Sequence, residues 1–179
     1  MHDNEVFVFL DFDGVMNSHR SLIAYGDYKA SSIDPVCVAL LNILCEMLER
    51  AGKSPYVVIC SDWRIAHPQL AFWHKLFASG PHIVVHGVTP HADSDLRTRG
   101  DECFAYLKAL AKDQLPWIVL DDNSIGSHDD HRVHVNNVYG LTHETIDEAY
   151  YRFTGQALLP DGLDVIGKWQ AIKAWGKKT

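Results

Sequence analysis

Val6-Phe7-Val8-Phe9-Leu10-Asp11-Phe12-Asp13-Gly14 decides the reading of this chain. Five apolar residues run without a polar break, the pattern of a strand buried on both faces of a parallel sheet. Ligands of open parallel sheets bind outside the carboxyl ends of the strands. Two acids placed there, two residues apart, can face one point. Gly14 lets the backbone turn sharply and leaves amide groups free for an anion. Paired acids beside an anion cradle point to Mg²⁺-dependent phosphoryl transfer.

Working outward, β and α signals alternate along the chain, which predicts an α/β fold with a mostly parallel sheet. The first strand is expected over 5–11 and a polar loop over 15–33. Asp34-Pro35 opens a helix as N-cap and first helical residue. Apolar residues at 36, 40, 41, 44, 47 and 48 keep helical spacing up to Gly52. Further strands are expected at 56–60, 82–88, 117–120 and 132–135. Helices are expected at 68–79, 100–111 and 142–151. The stretch 152–179 is weakly patterned, with a short helix expected near 169–175. No repeat, low-complexity tract or linker interrupts the chain. A single domain over 1–179 is expected, with a core of about 5–150 and a C-terminal extension.

Composition sets limits on function. The chain has 179 residues, 47% hydrophobic and 22% charged, as in ordinary globular proteins. No apolar run approaches membrane-spanning length, and no secretory leader pattern opens the chain. A cytoplasmic protein with no membrane partner is expected. The net charge of −7 and pI near 5.8 argue against a broad nucleic-acid footprint, but not against a small basic site. The four cysteines, Cys37, Cys45, Cys60 and Cys103, form no CxxC pair and read as buried free thiols.

Polar residues recur at the strand ends: Asp11 and Asp13 after the first, Ser61 after the second, Asp121 and Asp122 after the fourth. Right-handed crossovers would bring these ends to one rim. A cation from 97–99 would complete a site for a phosphoryl dianion. These motifs, Asp11-Phe12-Asp13-Gly14-Val15, Ser61 ending Val57–Cys60, and Ile118-Val119-Leu120-Asp121-Asp122, resemble those of the haloacid dehalogenase (HAD) superfamily of phosphotransferases. Ser61-Asp62-Trp63-Arg64, Arg99-Gly100-Asp101-Glu102 and Gly140-Leu141-Thr142 more narrowly resemble HAD domains of RNA-repair proteins. These are similar in turn to the phosphatase half of polynucleotide kinase-phosphatases. The resemblance covers roughly residues 5–150 and implies a Rossmann-like three-layer sandwich.

The resemblance further implies roles. Asp11 would be the nucleophile that forms an aspartyl-phosphate. Asp13 would protonate the leaving oxygen and then deprotonate water. Ser61 would hydrogen-bond a phosphoryl oxygen. Mg²⁺ would be held by Asp11, the Asp13 carbonyl, Asp121 and, less firmly bound to the pattern, Asp122. Arg99 would be the phosphate-binding cation, with Arg97 the alternative. Gly14, Asp62, Arg64 and Arg97 are candidates for substrate binding, with Asp62 turned away from the anion or paired with an arginine.

Other features have plainer readings. Trp63 reads as packing rather than as a stacking platform. The cluster His128, Asp129, Asp130, His131 and His134 lacks a recognised ligand spacing and reads as a polar loop. His19 and Arg20 follow the first motif closely enough to touch a substrate. Neither gap between motifs has room for a full cap domain, so the resemblance implies an open site suited to large substrates. A nucleic-acid 3′- or 5′-phosphate end is the first substrate class implied. A small phosphorylated metabolite and a non-catalytic binding module remain open alternatives.

Overall fold

The computed structural model describes residues 4–25, 33–91 and 98–158. Five strands form one wholly parallel sheet in the order β3-β2-β1-β4-β5. They are β1 (Glu5–Leu10), β2 (Ser54–Ile59), β3 (Val85–Val88), β4 (Trp117–Asp121) and β5 (Arg132–His134). Among the described residues six α-helices connect or flank them: α1 (His19–Tyr25), α2 (Pro35–Arg50), α3 (Trp63–Ala66), α4 (Leu70–Leu76), α5 (Arg99–Ala109) and α6 (His143–Thr154). The fold is α/β, as the alternating pattern predicts, and Rossmann-like, as the resemblance implies.

β1 explains the layering. Every one of its residues is buried, and its side chains alternate between faces. Val6, Val8 and Leu10 join the larger core with α2, α4 and α6, through Leu41, Leu44, Trp73 and Ile146. Phe7 and Phe9 join a second core with Cys103 and Leu107 of α5 and with Trp117. The continuous apolar run therefore reflects a strand central in order and covered on both sides.

Several local expectations shift. Residues 15–33 do not form one loop, because α1 occupies part of it. Ser18 starts that helix, its Oγ accepting from the Ser21 N–H at 3.3 Å. Asp34 caps α2 as expected, accepting from the Val36 N–H at 2.9 Å. The helix expected over 68–79 contracts to α4, and α3 precedes it as a separate turn. The strand expected from 82 begins at Val85, because a turn closes with the Ile83 N–H bonded to Gly80 O at 3.0 Å. Arg97 and the helix expected near 169–175 lie outside the described residues.

Candidate active site

The ends of β1, β2 and β4 and the start of α5 converge. After β1, the Phe12 carbonyl accepts from the N–H groups of Val15, Met16 and Asn17, so the chain turns tightly. Gly14 takes φ +81° in this turn, and a Cβ there would lie 2.7 Å from the Asp122 carboxylate. Phe12, between the two acids, is fully buried against Trp63, Trp73 and Phe77, with centroids 5.4, 5.1 and 6.0 Å away. That aromatic anchor holds the turn while Asp11 and Asp13 stay at the strand end.

Asp11 is 5% exposed, Ser61 1% and Asp121 1%. The Ser61 hydroxyl lies against Asp11 and favours its ionised form. Arg99 Nη1 contacts Asp11 Oδ1 and lies 3.1 Å from Asp121 Oδ2. Its placement follows from the start of α5. Thr98 and Asp101 form a reciprocal capping box. Gly100 lets this end approach the loop after β4, its N–H bonding Ile125 O at 2.9 Å, where a Cβ would meet that carbonyl and His128.

The site is short of positive charge. Ligand oxygens of Asp11, Asp121 and Asp122 lie within 4.8 Å of one another. Burial raises the Asp11 carboxyl above its ordinary range, against the opposing pull of Arg99. Burial, and then the neighbouring Asp11, push Asp121 up to about 7. Burial also works against the Arg99 charge, but the facing acids outweigh it and keep the guanidinium protonated. One guanidinium does not balance three close carboxylates. A hard dication would, and an all-oxygen donor set of this kind fits Mg²⁺.

A cavity of about 220 Å³ opens over this cluster, lined by Asp11, Asp13, Gly14, Ser61, Asp62, Arg99 and Asp122. His19, Asn123 and Asn137 complete its rim. A larger cavity, about 550 Å³, lies between the C-terminal ends of α2 and α6 and carries none of these groups.

One substrate-binding expectation changes. Arg64 is 3% exposed at its side chain and turned inward. It donates to Cys60 O at 2.6 Å, Thr89 O at 3.2 Å and Glu102 Oε2 at 2.6 Å. With its donors engaged in the interior, it is a structural cross-link between the end of β2 and α5. Asp62 is exposed and pairs with that arginine at 3.3 Å, the alternative foreseen for it. Arg20 binds Asp34 at 2.6 Å, while His19 reaches the rim.

The histidine cluster is a polar loop, as expected, with two of its rings packed. His131 stacks on Trp117 with centroids 3.8 Å apart, and His128 stacks on Phe104. Among the described residues no histidine joins a metal-binding group. Three polar contacts escaped the sequence reading. Asn17 donates to Asp13 Oδ1 at 2.8 Å, Trp63 donates to both Asp13 oxygens, and Asn123 donates to Asp122 at 3.0 Å. Asn17, four residues after Asp13 in a tight turn, carried a local signal. Trp63 carried none, because its partner is fifty residues away.

The family model for the HAD domain in Swiss Army Knife RNA repair proteins matches residues 7–146. No curated protein and no solved structure gives a significant match.

Proposed function

The chain belongs to the HAD domain family of Swiss Army Knife RNA repair proteins, and from that premise we propose a Mg²⁺-dependent phosphomonoesterase acting through an aspartyl-phosphate, with nucleic-acid phosphate ends as substrate. The observation that carries this reading is the convergence of Asp11, Ser61, Asp121 and Arg99 at the carboxyl ends of the central strands, with Arg99 touching both acids.

In this mechanism an Asp11 oxygen attacks phosphorus as the bond to the leaving oxygen breaks. Asp13 gives its proton to that leaving oxygen. Water then attacks the phosphorus of the acyl phosphate and passes a proton to Asp13, releasing phosphate and restoring the Asp11 carboxylate. Arg99 and the Ser61 hydroxyl supply donors to the phosphoryl oxygens as charge builds on them. Asp121, Asp122, Asp11 and the Asp13 carbonyl would hold Mg²⁺, which offsets phosphate charge against the carboxylates. Gly14 lets the turn pack against the Asp122 carboxylate, which a Cβ would strike.

The first experiment measures phosphate release from para-nitrophenyl phosphate and from 3′- and 5′-phosphorylated oligonucleotides, with Mg²⁺ and with EDTA. Wild type should release phosphate only with metal, and Asp11→Asn should lose about a thousandfold or more. Release that survives in Asp11→Asn would overturn the covalent mechanism. A small phosphorylated metabolite is the second reading, favoured by the net charge of −7. It predicts turnover of a nucleotide or sugar phosphate without turnover of oligonucleotide ends.

A further inference from the structure

We propose that Trp63 and Asn17 are positioning residues that aim Asp13, a proposal that rests on the acid–base role given to Asp13 above. The Trp63 indole N–H is shared between Asp13 Oδ1 at 3.2 Å and Oδ2 at 3.1 Å. Asn17 Nδ2 donates to Oδ1 at 2.8 Å. Both donors are themselves fixed. Trp63 stacks on the buried Phe12 at 5.4 Å, with 29° between the rings. Asn17 is fully buried, and its Oδ1 accepts from the Gly14 N–H at 3.2 Å.

Asp13 is exposed, so without such a clamp its side chain would sample several rotamers. The clamp also distinguishes its oxygens. Oδ1 receives two donors and Oδ2 receives one, so Oδ2 has the open lone pair. Oδ2 is therefore the atom that carries the proton to the leaving oxygen and takes it back from water. Trp63 reaches this position from the segment after β2, so Ser61 and the Asp13 clamp are set by one short stretch. This assigns a use to the Ser61-x-Trp63 spacing.

The test separates aim from folding. Trp63→Phe keeps a ring on Phe12 and removes the N–H. We compare kcat/KM for para-nitrophenyl phosphate, whose leaving group needs little protonation, with that for glycerol 2-phosphate, whose alkoxide needs a proton. Expected is a loss of about tenfold or more on the alkyl ester, part of the roughly 10²–10⁴-fold worth of a general acid, with the aryl ester nearly unchanged. Asp13→Asn should lose more than Trp63→Phe on the alkyl ester. Equal losses on both esters, or none, would overturn the proposal.

A second measurement is independent of turnover. The Trp63 indole N–H signal, identified by its disappearance in Trp63→Phe, should move in Asp13→Ala. An unmoved signal overturns the clamp. Absence of metal-dependent hydrolysis by wild type would overturn the phosphatase reading, while the indole signal would still decide whether the hydrogen bond exists.

Discussion

Asp121 holds the electrostatic imbalance of the site. Its carboxyl, ordinarily near 3.8, is pushed to about 7 by burial and then by Asp11. The sign of the consequence follows from proton counting. Between these two values the folded protein binds more protons than the unfolded chain, so stability falls as pH rises through that window. A bound dication reverses the preference, because it binds the ionised ligands. Thermal melts in EDTA should therefore fall from pH 5 to pH 8 relative to melts with Mg²⁺, and the Mg²⁺-induced rise should grow with pH. A rise that is equal at all four pH values from 5 to 8 would remove Asp121 from the metal site. Asn123 sharpens the case: its backbone N–H binds Asp121 Oδ1 at 2.8 Å, which fixes the carboxylate in one orientation.

At the scale of elements, the Arg64–Glu102 pair links the end of β2 to the first turns of α5. It thereby fixes Ser61 relative to Arg99. Both side chains are nearly inaccessible, at 3% and 10% exposure. Glu102→Ala would leave the guanidinium without its 2.6 Å carboxylate partner, and such losses cost about 3–5 kcal/mol. Chemical denaturation should report that loss, and Arg64→Met combined with Glu102→Leu should recover most of it. Full stability of the single variant would show that Asp62 and the carbonyls of Cys60, Thr89 and Pro90 suffice for Arg64. The same pair marks where sequence reading stops. Asp11, Asp13, Ser61, Arg99 and Asp121 were legible because each follows a strand or starts a helix, a local signal. The parallel sheet was legible because β1 is apolar at every position. The inward turn of Arg64 was not, because it depends on Glu102, 38 residues away. Nor was α1, whose start signal is the single residue Ser18.

For the whole molecule, charge and topology pull the substrate question in different directions. The sheet gathers its reactive groups at the carboxyl ends of its central strands, and the described connections from β1 to β2 and from β2 to β3 carry only helices α1 to α4. Among the described residues that leaves the rim open to a polymer end. The net charge of −7 denies the protein a wide basic track. An end-processing enzyme of this kind would grip few phosphates beyond the one it removes. On a single strand, each neutralised phosphate adds about 0.7 to the steepness of the logarithmic salt dependence. Turnover of a 3′-phosphorylated oligonucleotide should then fall with salt more steeply than turnover of para-nitrophenyl phosphate, by a slope difference of about 0.7–1.4, the value for one or two extra contacts. Rates at several salt concentrations, with Mg²⁺ held constant, measure both slopes. Equal slopes would mean that the chain beyond the terminal phosphate is not gripped, and would shift the assignment to a small phosphorylated metabolite. A difference several times larger would require a basic surface.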